Sequence, residues 1–253
     1  KDMEPIEIGH QSILPDGRMI ELDELLICSN AEFIALVRRD GQLISLGGDK
    51  GDTIQWQQKL PLRVVHGILP WPDGFVVIGP DPDADQPLAV SNADPLLFHV
   101  DHRTGKPRRL QWPDAIGRFN WITRSPLNDL VLGGEDGIAC ISWPDHTPRW
   151  ITTDPLSRQT RQGWASSEAV LVMDDKEVLH LLDIETGEDS GDLELPEYRD
   201  MAMIRELQAD GRGFRVLRET GMAIHDPVGT LIGTDGIPRE YQFEHLLSDG
   251  GLH

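Results

Sequence analysis

Leu97-Phe98-His99-Val100-Asp101, then Thr104-Gly105-Lys106, then Trp112, is the stretch whose reading decides the fold. It is an apolar run of strand length, an acid, a Gly turn and a large aromatic. The same order recurs along the chain. An earlier copy spans Phe33–Trp56, with Gln42-Leu43-Ile44-Ser45-Leu46 before a turn at Gly51. A third runs Leu130-Val131-Leu132-Gly133, Asp136-Gly137, Ile138–Ser142 and Trp150. A fourth has Val170–Met173, Leu179–Asp183 and Thr186-Gly187; a fifth has Phe214–Leu217, Met222–Asp226 and Gly229. Anchored at Gly47, Asp101, Ser142, Asp183 and Asp226, the spacings are 54, 41, 41 and 43 residues. A period near 42 built from short strands is the signature of a β-propeller, one blade per repeat.

The expected fold is therefore all-β: a single propeller of four-stranded antiparallel blades over residues 1–253. The repeats fall at about 25–60, 61–115, 116–155, 156–196 and 197–234. In the third, alternation predicts strands at Phe119–Thr123, Asp129–Gly133, Gly137–Ile141 and Arg149–Thr152. Asp40-Gly41, Asp73-Gly74, Asp136-Gly137, Asp210-Gly211 and Asp235-Gly236 read as hairpin turns in which Gly supplies a positive φ. A blade must stack between two neighbours to bury both faces, so the ring must close. The ends, 1–24 and 235–253, carry strand-like Ile6–Ile8, Arg18–Leu22 and Tyr241–Leu247. Joined in one sheet they would make a sixth, closing blade and hide both open edges. The alternatives are five blades, or part of a seven- or eight-bladed ring. The 54-residue spacing marks an insertion, Gly79–Pro87, whose three prolines and three acids predict an exposed loop between the second and third strands.

Composition narrows the partners. The formal net charge is −20, from 43 acidic and 23 basic residues. Such a field repels nucleic acid and anionic membranes and favours a basic partner. No run of 18 apolar residues predicts a membrane span, and no segment reads as a signal peptide. Lys1 in place of Met fits a mature form, a trimmed chain or a domain of something longer. The expected setting is soluble, cytoplasmic or periplasmic. Trp (7) outnumbers both Phe (6) and Tyr (2), which suits a structural Trp in each blade. Cys28 and Cys140 sit in apolar strands of different repeats, which predicts two buried, reduced thiols.

Phe98-His99-Val100-Asp101-His102-Arg103-Thr104-Gly105-Lys106 with Trp112 resembles the PQQ-type, quinoprotein propeller repeat. Leu181-Leu182-Asp183-Ile184-Glu185-Thr186-Gly187-Glu188 is similar to it as well. The other three copies are degenerate. The resemblance implies that Trp56, Trp112 and Trp150 pack between blades, and Gly51, Gly105 and Gly187 are the turn residues of the same repeat. It implies no quinone cofactor. The quinone-binding dehydrogenases of that superfamily carry a calcium-binding Glu/Asn/Asp set and often adjacent cysteines, and no residue here matches that set. Non-enzymatic relatives, such as outer-membrane assembly lipoprotein scaffolds, use the repeat to bind proteins. This chain lacks their lipobox cysteine.

The chemistry-bearing residues do not assemble into a motif. His99, His180 and His225 stand at three different offsets before their anchor Asp, so they make no metal ring. Asp81-Pro82-Asp83-Ala84-Asp85 begins like a calcium loop but has Gln86 and Asn92 where Gly and Glu are required. Trp71, Trp121, Trp143 and Trp164 lie outside the docking position, as core or as exposed interaction residues. The expected function is a non-catalytic scaffold or protein-interaction subunit of a bacterial-type complex, with no cofactor and no metal. Asp81, Asp83 and Asp85 are its candidate contacts to a basic partner. Two alternatives are a metal-dependent hydrolase or lactonase with an axial metal, and an acidic inhibitor or immunity-like protein masking a basic target.

Overall fold

The computed structural model describes residues 11–13, 19–21, 25–29, 34–38, 40–47, 53–62, 64–80, 95–143, 145–154, 160–195, 204–218 and 221–235. They form an all-β structure with one short 3-10 helix, Asp114–Ile116. The chain divides into two compact units, Lys1–Trp112 and Pro113–His253.

The first unit opens with a two-stranded hairpin, β1 (Gln11–Ile13) and β2 (Met19–Glu21). Two four-stranded antiparallel meanders follow. One is β3 (Leu25–Ser29), β4 (Ile34–Arg38), β5 (Gln42–Gly47) and β6 (Thr53–Lys59). The other is β7 (Gly67–Trp71), β8 (Gly74–Pro80), β9 (Pro95–Asp101) and β10 (Pro107–Leu110). The second unit holds three more meanders of the same order. They are β11 (Phe119–Arg124), β12 (Leu130–Gly134), β13 (Ile138–Ser142) and β14 (Thr147–Thr152); β15 (Gln162–Ala165), β16 (Ala169–Met173), β17 (Leu179–Asp183) and β18 (Asp189–Asp192); and β19 (Ile204–Asp210), β20 (Gly213–Arg218), β21 (Gly221–His225) and β22 (Leu231–Asp235).

Five repeats thus give five four-stranded sheets, one sheet per repeat. The strands of the third repeat lie within two residues of their expected bounds. The closing sheet is a different matter. The N-terminal strands pair with each other as β1 and β2, and Ile6–Ile8 and Tyr241–Leu247 lie outside the described residues.

The burial pattern departs from simple alternation for a physical reason. The middle strands are apolar on both faces: β8 and β9 are buried at every position but the last. A strand sandwiched between two packed layers has no solvent face, so it reads as a continuous apolar run. The fourth strands do face water; β18 is exposed throughout. The fourth sheet shows the sandwich directly. Val170 and Val172 on β16 pack toward Val131, Cys140 and Trp150 of the third sheet. Ala169 and Leu171, pointing the other way, pack toward Phe214, Val216 and Ala223 of the fifth. In the first unit, Ala35, Val37 and Leu43 meet Phe75, Val77, Phe98 and Val100 in one core.

First strands meet first strands: β3 touches β7, β11 touches β15, and β15 touches β19. The Asp-Gly turns form, but not all through positive φ. Gly41 has φ +85°. Gly137 and Gly74 do not have positive φ; a Cβ there would strike the carbonyls of Thr152 and Val100, so close backbone approach excludes a side chain. Gly236 lies outside the described residues.

Candidate functional site

The repeat acid builds its own turn. The Asp101 carboxylate accepts hydrogen bonds from the Arg103 amide (3.1 Å), the Thr104 amide (2.7 Å) and the Thr104 hydroxyl (2.7 Å). The Asp183 carboxylate accepts the same three from Glu185 and Thr186, at 2.9, 2.8 and 3.0 Å. Asp226 accepts from the amides of Val228 and Thr230. Burial alone would raise the Asp101 pKa, but the Thr104 and Arg103 donors outweigh it and hold the carboxyl below its usual range. These acids recur where the turn needs an acceptor.

Each turn then receives the neighbouring sheet. Gly105 and Gly187 sit at φ +68° and +73°. A Cβ on either would lie 2.6 Å from the indole of Trp56 or Trp150 respectively. The Trp56 Nε1 donates to the His102 carbonyl at 2.6 Å, and the Trp150 Nε1 donates to the Ile184 carbonyl at 2.8 Å. The fourth strand of one sheet is therefore pinned to the third-to-fourth turn of the next, by ring stacking on bare backbone and by one hydrogen bond. Trp112 and Trp150 are each 8% exposed, whereas Trp56 is only half-buried and stacks on Phe75 with centroids 6.2 Å apart. The fourth sheet has no Trp on β18, and Leu181 takes its place against Gly229. Gly51 lies outside the described residues.

Trp121 is a second interlock that the spacing did not reveal. Its indole lies against Gly133 of its own sheet and Gly163 of the next, where a Cβ at either would collide with the ring. Its Nε1 donates to the Thr160 hydroxyl at 2.9 Å. Trp71 is fully buried, while Trp143 and Trp164 are half-buried. A polar clasp also crosses the third and fourth sheets. Arg149 binds the buried Asp129 at 3.1 Å and Glu185 at 2.8 Å.

The three repeat histidines have separate partners. His99 Nε2 stands 3.1 Å from Asp73, His180 lies between Asp192 (2.6 Å) and Asp174 (3.5 Å), and His225 Nε2 donates to the Glu194 carbonyl at 2.7 Å. Among the described residues, no three His, Cys, Asp or Glu side chains gather as a metal site. Cys140 is a free, buried thiol. Burial first, and then the charge of Asp129, push its pKa up to about 12. Cys28 falls on β3, where side chains are outside the described structure. Native protein at pH 8 should leave Cys140 unlabelled by a thiol reagent, with labelling after urea denaturation. Native labelling as fast as in urea would contradict this.

An antiparallel meander places its first and third turns at one end and its second at the other. At the second-turn end of the Pro113–His253 unit, an open hollow of about 740 Å³ lies beside the starts of β11 and β15. It is lined by Phe119, Asn120, Glu135, Asp136, Arg161 and Asp175. Asn120 is held by its amide, which donates to the Thr160 carbonyl at 3.0 Å. The three carboxylates are exposed and suit attraction of a cationic group. The segment holding Asp81, Asp83 and Asp85 joins β8 to β9 and lies outside the described residues. No helix among the described residues is long and apolar enough to cross a membrane. No protein-family model matches the chain, and neither does any curated protein.

Proposed function

We propose that the five four-stranded sheets are blades of one β-propeller of the PQQ-like, quinoprotein type, and that the chain is a non-catalytic scaffold that binds a protein. The observation that carries the fold is the repeated docking of a fourth-strand Trp on the next sheet's Asp-x-x-Thr-Gly turn, at Gly105 and again at Gly187. Convergence of the sheets supports it. Flat stacked sheets stand about 10 Å apart, so a third and a fifth would be separated by about 20 Å. Instead, a Cβ built on Gly211 of the fifth sheet would lie 3.6 Å from Pro126 of the third. Sheets that close up along their first strands are wedges of a fan, and a fan continued becomes a ring.

Function follows from which parts are left free. The middle strands are spent on stacking, and the repeat acids are spent on turns. What remains for recognition is the turns at the two ends, on a chain of net charge −20. That balance favours a basic protein partner, with Asp81, Asp83 and Asp85 as candidate contacts in the long second-to-third connection. The test is to capture a partner from the native source, purify it, and measure association with the Asp81→Asn/Asp83→Asn/Asp85→Asn variant. Exposed charges act mainly on the on-rate, so the variant should associate more slowly at low salt and equally at high salt. A recovered partner whose association is unaffected by salt would contradict the basic-partner reading.

A further inference from the structure

The first-turn end of the Pro113–His253 unit differs from the end bearing the hollow. Three first-to-second turns meet there. Pro126-Leu127 comes from the third sheet, Ser166-Ser167-Glu168 from the fourth and Gly211-Arg212 from the fifth. Gly211 adjoins Pro126, and the Ser167 hydroxyl donates to the Gly211 carbonyl at 3.2 Å. The Ser166 hydroxyl donates to the Pro227 carbonyl at 2.6 Å, which seats the Pro227-Val228 turn beside them. These contacts fix the turns, so the surface they form is preorganised. Its apolar members nonetheless face water: Leu127 is 53% exposed and Val228 50%. Both sit in turns, where polar residues are the norm.

The charge on the turns at this end is mainly acidic. The turns at this end carry Asp145, Glu168, Glu185, Glu188 and Asp226, against Arg212 as their free cation among the described residues. Arg149 nearby is already matched by Asp129 and Glu185. Exposed apolar side chains set among acidic turns are what a docking surface for a protein with apolar and cationic groups presents.

We infer that this end binds an amphipathic segment of a partner protein, apolar in its middle and flanked by Lys or Arg. Leu127 and Val228 take its apolar residues, and the acidic turns take its cations. The inference rests on the protein-binding reading and assigns it a place and a partner chemistry. The rigid contacts among the turns keep the ordering cost of binding low.

The probe is a synthetic Leu/Lys amphipathic helical peptide, with a Gln/Lys peptide of equal charge as control. Binding is followed by fluorescence anisotropy, and its place by hydrogen exchange of the protein amides. The Leu/Lys peptide should bind and protect amides around Asn128, Ser167 and Arg212; the control should bind more weakly. Leu127→Ser should weaken binding about tenfold, as expected for an interface anchor, and Val228→Ser is the independent second variant. Glu168→Lys should lower the association rate at low salt and leave it unchanged at high salt. Both apolar sites are exposed, so an unchanged thermal midpoint establishes that each variant is folded. Equal affinity of both peptides, or of parent and both serine variants, would overturn the inference. Protection centred on Glu135 and Asp136 would overturn it too, and would leave the protein-binding reading standing with the hollow as its site. Absence of binding by the Leu/Lys peptide overturns the docking patch alone, since the captured-partner experiment tests the broader reading separately.

Discussion

Trp150→Ala lowers the unfolding free energy by about 3–5 kcal/mol, the cost of emptying a fully packed aromatic site. The indole is 8% exposed and shares a core with Val131, Cys140, Val170 and Leu182, residues from both of the sheets that it joins. Its removal deletes that area, leaves a cavity against the Gly187 backbone and strips the Ile184 carbonyl of its donor. Those losses fall on one side chain, so they add within a single site. Trp150→Phe should cost less, because the ring area is largely kept and the hydrogen bond alone is lost, at about 0.5–1.5 kcal/mol plus imperfect packing. Trp56→Ala should also cost less, because that indole is half-buried to begin with. The check is the urea midpoint and slope of each variant. A change below about 1 kcal/mol for Trp150→Ala would mean that the turn does not depend on the ring.

Arg149→Met destabilises by about 3–5 kcal/mol, the usual result of leaving one partner of a buried ion pair uncompensated. The Asp129 side chain is 3% exposed, and its carboxylate lies 3.1 Å from the guanidinium. Burial is the first cause raising the Asp129 pKa; Arg149 opposes it and Glu185 adds to it. Without Arg149 the carboxyl rises further above its unfolded value of about 3.9. A raised folded pKa means that the folded state binds the proton more tightly. The stability it contributes is present in full below the unfolded value and is lost as pH rises through the folded one. The deficit of Arg149→Met should therefore be largest at pH 8 and shrink toward pH 4. The double variant Asp129→Leu/Arg149→Met should recover most of the loss, since no charge is then stranded. A deficit that is independent of pH, or that the double variant fails to reduce, would show that the clasp contributes through packing of the Arg stem instead.

The repeat was legible because its chemistry is local. Asp101, Thr104 and Gly105 lie within five positions, and a turn that needs an acceptor, a hydroxyl and a positive φ writes all three into the chain. Trp56 and Trp150 were legible through their constant place in the repeat. Trp121 was not, because its partners Gly133, Thr160 and Gly163 are distant residues without a motif, and only their meeting in space gives the indole its slot. Arg149 escaped for the same reason: Asp129 precedes it by twenty positions and Glu185 follows by thirty-six. β8 and β9 read as apolar runs rather than as alternating strands, since strands covered on both faces have no polar side to alternate with. The Gly of Asp136-Gly137 was located correctly, but its cause is the Thr152 carbonyl rather than φ. The candidate docking patch left only a faint trace in the chain, a Leu and a Val set into otherwise polar turns at Leu127 and Val228.

The five sheets are proposed to be blades of one ring. Small-angle X-ray scattering tests that arrangement most directly. A closed ring of 253 residues should give a radius of gyration of about 18 Å, the value for a compact chain of that length, and a pair-distance distribution with a single maximum. A distribution with two maxima, from the Lys1–Trp112 and Pro113–His253 units standing apart as separate bodies, would contradict it.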